Sequence, residues 1–287
     1  MRVGFIGLGA MGLPMARNLS RKFALTVWNR NHSKYMMLSG AELSIAESPS
    51  MVVEQSDVTF IMLLNTAAIE SVLDDDFKRA LCGKVLVVTS SVTVAFSHWT
   101  AEQVHQAGGQ YIEMPVSGST VPAQQGQLVG MLAGDLVLVN RIRPVLEPIT
   151  RCAIYCGPIG SGLKAKFAVN TFLITLTTGL AESVNLARAQ GLDLRAFGQV
   201  LRFCPMASAY SDMKIGKLLN EDWAPQAAID DCYAITKLIQ SAASDVDTRS
   251  PLIDACAILL EEGKNASLGD EDIVAISKLL GRSQETL

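Results

Sequence analysis

The chain has 287 residues, 49% hydrophobic and 18% charged, with a formal net charge of -4 at pH 7. High apolar content at low net charge excludes an intrinsically disordered chain, and the length excludes a disulfide-stapled miniprotein. The slight acidity leaves no electrostatic footprint for nucleic acid, and the length suits about two domains.

The six cysteines (Cys82, Cys152, Cys156, Cys204, Cys232 and Cys256) form no CxxC pair and no zinc-like spacing with the three histidines. No metal site is therefore expected, and the cysteines read as reduced thiols of a cytoplasmic protein. Met1-Arg2 runs straight into Val3-Gly4-Phe5-Ile6, so no targeting segment is expected. The longest uncharged apolar run, between Lys166 and Glu182, has 15 residues and is interrupted by Asn170 and several threonines. A bilayer-spanning helix needs about 20, so no membrane partner is expected and this run reads as a buried core helix.

In chain order, residues 3–6 form a short β-rich apolar run, residues 11–22 have helical spacing, and residues 25–28 are strand-like again. Further strand candidates lie at 58–64, 85–89, 111–114 and 128–133, with helical stretches such as 67–73 and 94–107 between them. This alternation predicts an α/β domain with a parallel sheet covered on both faces and right-handed crossovers. The pattern changes at Cys156-Gly157-Pro158-Ile159-Gly160. Beyond it, 164–190 reads as one long helix stopped at Gly191, followed by helices at 194–203, 229–243, 251–262 and 270–280. Asp193 and Asp270 stand at N-cap positions. The predicted boundary separates an α/β domain at 1–158 from an all-helical domain at 159–287, joined by the long helix.

Gly7-Leu8-Gly9-Ala10-Met11-Gly12 fits G-x-G-x-x-G between a strand and a helix. Gly7 permits a tight turn, Gly9 lets backbone approach a pyrophosphate, and Gly12 allows close helix–strand packing. The phosphate then meets unpaired N–H groups at the positive end of the helix. The motif predicts a doubly wound Rossmann sheet that binds a dinucleotide. An NAD site usually carries Asp or Glu at the end of the second strand. This chain has Asn29-Arg30-Asn31-His32-Ser33-Lys34. The carboxylate is missing and Arg30 and Lys34 bring positive charge suited to a 2′-phosphate, so NADP is expected over NAD.

Lys166 and Asn170 are four apart and share a helix face with Leu173 and Thr177, whereas Lys164 points elsewhere. A lysine facing an apolar stripe near a helix N-terminus has its ammonium form disfavoured, which suits an acid/base. Most helix lysines instead snorkel to water, and spacing alone favours that reading.

Three separated segments together resemble the β-hydroxyacid dehydrogenase family, which takes in 3-hydroxyisobutyrate dehydrogenases and glyoxylate/succinic semialdehyde reductases. They are residues 4–19, Pro115-Val116-Ser117-Gly118-Ser119 with 123–128, and Gly160-x-Gly162-x-x-x-Lys166-x-x-x-Asn170. Residues 181–193 are similar to the rest of the family's long helix. The resemblance implies an NADP(H)-dependent oxidoreductase interconverting a small β-hydroxyacid and its aldehyde or keto acid. Lys166 would be the general acid/base for hydride transfer; Ser117, Gly118, Ser119 and Asn170 would bind substrate, Ser117 and Gly118 holding its carboxylate with Asn170 beside them. The cofactor would contact Gly7, Leu8, Gly9, Ala10, Met11, Gly12, Asn29, Arg30, Asn31, Ser33, Leu63, Leu64 and Ser91. The second domain would bind substrate and build a homodimer or tetramer, as the long apolar helix also suggests.

Thr171 stands where the family usually has a second Asn, Val88 where many members are acidic, and Met114 where a small residue is usual. Asp230-Asp231 occupies the place of the family's Lys-Asp pair; Lys237, about two turns on, fits that role only in a different helix register. Two other readings are an imine reductase on a related fold, which generally lacks the lysine, and a non-catalytic NADP-binding protein.

Overall fold

Short apolar, β-branched runs form the strands of the N-terminal half, and amphipathic stretches between them form its helices. In the computed structural model, which describes residues 1–38 and 43–281, these are β1 (Val3–Ile6), α1 (Gly12–Ser20), β2 (Leu25–Trp28), β3 (Leu43–Ile45), α2 (Pro49–Gln55), β4 (Val58–Ile61), α3 (Thr66–Glu70) and α4 (Asp75–Ala80). They continue as β5 (Val85–Val88), α5 (Val94–Gln106), β6 (Gln110–Glu113), β7 (Val116–Ser117), α6 (Thr120–Gln124), β8 (Leu128–Gly134), α7 (Leu136–Leu146) and β9 (Thr150–Gly157). A 3₁₀ segment, His32–Leu38, follows β2.

The strands are ordered β3-β2-β1-β4-β5-β6-β8-β7, with β9 on β8. Strands β1 to β6 are parallel, whereas β8 runs antiparallel to β6 and β7. The parallel-sheet expectation holds for β1 to β6 and is corrected at this edge. The link from β7 to β8 holds only the short α6, and a parallel return needs a crossover of a dozen residues or more.

Strands β1, β4 and β5 are buried along their whole length, with Val3, Phe5, Ile6, Val58, Phe60, Ile61, Val85, Leu86, Val87 and Val88 each at most 3% exposed. Phe5 and Phe60 stack at 6.0 Å between ring centroids. Each such buried side chain contributes about 1.5–3 kcal/mol, so this part of the sheet is the rigid frame. Its order reverses between β1 and β4, which puts the topological switch point beside the glycine loop.

The chain divides into two compact units, Met1–Lys166 and Phe167–Leu287. The division falls inside α8 (Ser161–Ala189), eight residues past the Gly/Pro cluster boundary read at 158. The second unit continues with α9 (Leu194–Phe203), α10 (Ala209–Asn220), α11 (Ile229–Asp245), α12 (Pro251–Asn265) and a 3₁₀ segment, Ile273–Leu279. Asp193 caps α9, accepting from the Arg195 N–H at 2.9 Å.

The α-helix expected at 270–280 is instead this 3₁₀ segment, and its cap is Asp272, not Asp270. Asp272 is drawn inward because both its oxygens bind the Lys214 ammonium, at 2.7 and 2.9 Å, and Oδ2 also accepts from the Gln226 N–H. The pair is essentially without solvent, and a buried charge must be paired in this way. The β-branched Ile273, Val274 and Ile276 after it are fully buried and poor α-helix formers.

Helix α8 extends well beyond the 15-residue apolar run and is long and apolar enough, by length and composition, to cross a membrane. It is not buried all round. Ile174, Thr177, Ala181 and Val184 are buried, whereas Val169 and Phe172 are exposed, Phe172 by 70%.

Candidate active site

The three motif glycines differ as the loop chemistry requires. Gly7 has φ +101°, and a Cβ there would lie 2.2 Å from the Met62 carbonyl oxygen. A Cβ at Gly12 would lie 1.9 Å from the Gly7 carbonyl oxygen, so α1 can start this close to the turn only without one. A Cβ at Gly9 would meet nothing within 4 Å. The middle glycine therefore faces open space.

Among the described residues, the N–H groups of Gly9, Ala10 and Met11 have no acceptor within the chain. Helix α1 has no side-chain cap and no acidic residue in its first turn. Side chains of Ser48, Asn65, Asp74, Thr93 and Asp135 cap α2, α3, α4, α5 and α7. Unpaired donors at a positive helix end, with room above them, fit the pyrophosphate of a dinucleotide.

The end of β2 is tied back to this loop. The Asn29 side-chain oxygen accepts from the Leu8 N–H at 2.8 Å, and its amide donates to the Asn31 carbonyl, also at 2.8 Å. Tyr35 closes the corner by accepting from the Asn29 N–H and donating to its carbonyl. Asn31 accepts from both the N–H and hydroxyl of Ser33. Leu8, Asn29, Asn31 and Ser33 thus build the corner's own hydrogen bonds. Arg30 is exposed, and neither its guanidinium nor the Lys34 ammonium has a hydrogen bond or ion pair among the described residues. Two unspent cations follow the strand that ends beside the phosphate loop.

The neighbouring strand ends carry the other residues read for the cofactor. After β4, the Leu63 N–H donates to the buried Ser90 hydroxyl at 2.8 Å, and the Leu63 side chain packs against Gly7. Leu64 is 81% exposed. Ser91, half-buried after β5, has a hydroxyl without a partner among the described residues.

Ser117 ends β7, paired to β8 through Ser117–Val129. Gly118 has φ +130°, and Ser119 precedes α6 without capping it by its side chain. Neither serine hydroxyl has a partner among the described residues. An anion such as a carboxylate suits such a turn.

Sequence reasoning missed Glu113. It is 1% exposed at the end of β6, and its carboxylate accepts from the N–H of Gly160 at 3.0 Å and of Leu163 at 2.9 Å, at the start of α8. Ser97 donates a third hydrogen bond to it. The available signal was a charge inside the apolar stretch Tyr111-Ile112-Glu113-Met114, since a buried charge demands partners. The burial of the Cys156 thiol, and then the Glu113 charge beside it, raise the Cys156 pKa above the usual thiol range.

Lys166 follows Leu163 by three residues and is half-buried, unlike the exposed Lys164. Asn170, one turn further along α8, is 6% exposed. In α11, Asp230 lies 3.8 Å from Lys264, and Lys237 sits 5.0 Å over the Tyr233 ring. The Asp231 carboxyl is raised above the usual range by burial and by the charges of Asp230 and Asp270.

Comparison with known proteins matches this layout. A family model described as the NAD-binding domain of 6-phosphogluconate dehydrogenase matches residues 2–157. Another, described as NAD-binding of NADP-dependent 3-hydroxyisobutyrate dehydrogenase, matches residues 160–280. The chain is 30% identical to glyoxylate/succinic semialdehyde reductase 2 of Arabidopsis thaliana over 285 residues, covering 97% of this chain and 79% of the relative. In fold it is similar to Mycobacterium tuberculosis 3-hydroxyisobutyrate dehydrogenase with L-serine, at TM-score 0.87 and 23% identity, covering 98% and 100% of the two chains. An imine reductase of Myxococcus stipitatus with NADP+ is less similar, at TM-score 0.68 and 19% identity over 98% and 100%.

The middle and last glycines of the motif make a direct contrast. Gly9→Ala should keep the wild-type melting temperature yet weaken dinucleotide binding, because its Cβ enters only the open side of the loop. Gly12→Ala should lose about 1–3 kcal/mol of stability as well, the usual effect of overpacking. Thermal unfolding with a cofactor titration checks this; equal destabilisation by the two substitutions would contradict it.

Proposed function

This chain belongs to the β-hydroxyacid dehydrogenase family, and on that premise we propose that it is an NADPH-dependent reductase of small carboxylate-bearing aldehydes or keto acids, run reversibly against the corresponding hydroxyacid. The observation that carries the reading is one of placement. The loop and the Ser117-Gly118-Ser119 turn, whose N–H groups and hydroxyls are unpaired among the described residues, belong with Lys166 to the first unit. The first turn of α8 abuts Pro115, two residues before Ser117: a Cβ at Gly162 would come 3.3 Å from the Pro115 side chain.

The residues divide the work by their chemistry. Backbone N–H groups of Gly9, Ala10 and Met11 bind the pyrophosphate, and Arg30 with Lys34 takes the ribose 2′-phosphate. Ser117 and Ser119 hydroxyls orient the substrate carboxylate. A bound nicotinamide supplies or accepts the hydride. Lys166 gives its proton to the carbonyl oxygen as the alkoxide develops and takes it back in the oxidative direction. Against the imine reductase reading stands the presence of this lysine. The six cysteine thiols support a reducing, cytoplasmic setting for a small-molecule enzyme.

The exposed Val169 and Phe172 on α8 support a homo-oligomer in which a second copy covers them. Sedimentation at micromolar concentration should give a dimer or tetramer; a monomer would contradict this. Arg30→Asp should weaken NADPH binding much more than NADH binding in fluorescence titrations, and equal losses would overturn the NADP preference. With NADPH, glyoxylate or succinic semialdehyde should turn over where cyclic imines do not. Lys166→Ala should cut that turnover about 10²–10⁴-fold while leaving NADPH affinity within about twofold. Near-normal turnover in this variant would end the assignment.

A further inference from the structure

We infer that Glu113 is the positioning residue for Lys166: its buried carboxylate clamps the first turn of α8 to the strand that leads into the Ser117 turn. The inference rests on the role proposed for Lys166. Oε2 of Glu113 accepts from Gly160 and Oε1 from Leu163, so both oxygens hold α8, one on each side of its first turn. Leu163 and Lys166 lie three apart on neighbouring positions of one helix face, and a displacement at the first passes directly to the second.

The clamp has little slack. A Cβ on Gly162 would lie 2.5 Å from the Met131 carbonyl oxygen and 2.9 Å from Glu113 Oε1. Four residues after Glu113 the chain reaches Ser117, and the Met131 N–H donates to the Pro115 carbonyl between them at 3.0 Å. The proposed carboxylate-binding turn and the proposed acid/base therefore share one anchor. Behind it, Tyr111 and Ser97 share a hydrogen bond of 2.9 Å, and Ser97 donates onward to Glu113. Burial foremost, and the Glu113 charge as well, push the Tyr111 phenol well above its usual range. The phenol thus stays protonated and donates to Ser97, which leaves the Ser97 proton for Glu113.

A carboxylate is needed because it accepts at both oxygens. Glutamine has the same shape but sets an NH₂ against one of the two α8 N–H groups. A misplacement of about 1 Å at a reacting group can cost a hundredfold in rate. The test is a double-mutant cycle on the full-length protein, using single-turnover rates with NADPH and glyoxylate or succinic semialdehyde, whichever turns over. Glu113→Gln should slow the wild-type reaction tenfold or more and leave the Kd for NADPH within about twofold. In the Lys166→Ala background the same substitution should change the residual rate less than about twofold. An equal loss in both backgrounds, or a folded Glu113→Gln with the wild-type rate, would overturn the inference. If Glu113→Gln does not fold, Glu113→Asp, whose shorter arm cannot reach both N–H groups, goes through the same cycle with the same criteria. Failure of the underlying reading shows separately, as a Lys166→Ala variant with normal turnover.

Discussion

A buried carboxylate set against a helix N-terminus is the constraint on which the geometry of the first unit's candidate active site depends. Glu113 is fully desolvated, so it must be compensated, and the start of α8 compensates it with two N–H donors and its positive end. Hydrogen bonds to a charged group contribute about 1.5–3 kcal/mol each, against the cost of leaving the same buried groups unpaired. The link joins β6, α5 through Ser97, and α8, elements far apart in sequence. Glycines at 160 and 162 follow from it, because a side chain at either would strike His98 and Val94 or Met131 and Glu113.

The rest of the site inherits its rigidity from the sheet. Parallel strands buried on both faces end in a row, and the residues after β1, β4 and β5 stand along that edge. Gly7 turns the chain there, Leu63 packs on it, and Asn29 pins the end of β2 to Leu8. With these corner groups satisfied internally, the donors left over among the described residues include those of Gly9, Ala10 and Met11 and the cations of Arg30 and Lys34. The structural hydrogen bonds here go to shaping the corner, and the groups they leave over carry the chemistry that an anionic ligand would need.

Much of this was legible in the sequence where a signal is local. The apolar runs at 3–6, 58–64 and 85–89 read as strands of a covered sheet, the glycine spacing read as a phosphate turn, and Asp193 read as a cap. What was lost depends on distant partners. Nothing near Asp272 announces Lys214, 58 residues away, so the segment after it read as an α-helix instead of a 3₁₀ one. Helix α10 went unread because its start is a reciprocal Ser208–Ser211 capping box in a Ser/Ala-rich stretch that resembles a loop. The antiparallel β8 is set by the short link before it, not by its own composition. Glu113 was passed over because periodicity weighs apolar positions, whereas its meaning lies in the helix it caps 47 residues later.

The central claim is that the amine at position 166 meets the reacting oxygen beside a nicotinamide held by the glycine loop. A crystal structure with NADP+ and a small β-hydroxyacid tests it most directly. The account predicts Lys166 Nζ about 3 Å from the hydroxyl oxygen, with the carboxylate on the Ser117–Ser119 turn and the pyrophosphate on the N–H groups after Gly7. A Lys166 ammonium turned into bulk water, with another group on that oxygen, would contradict it.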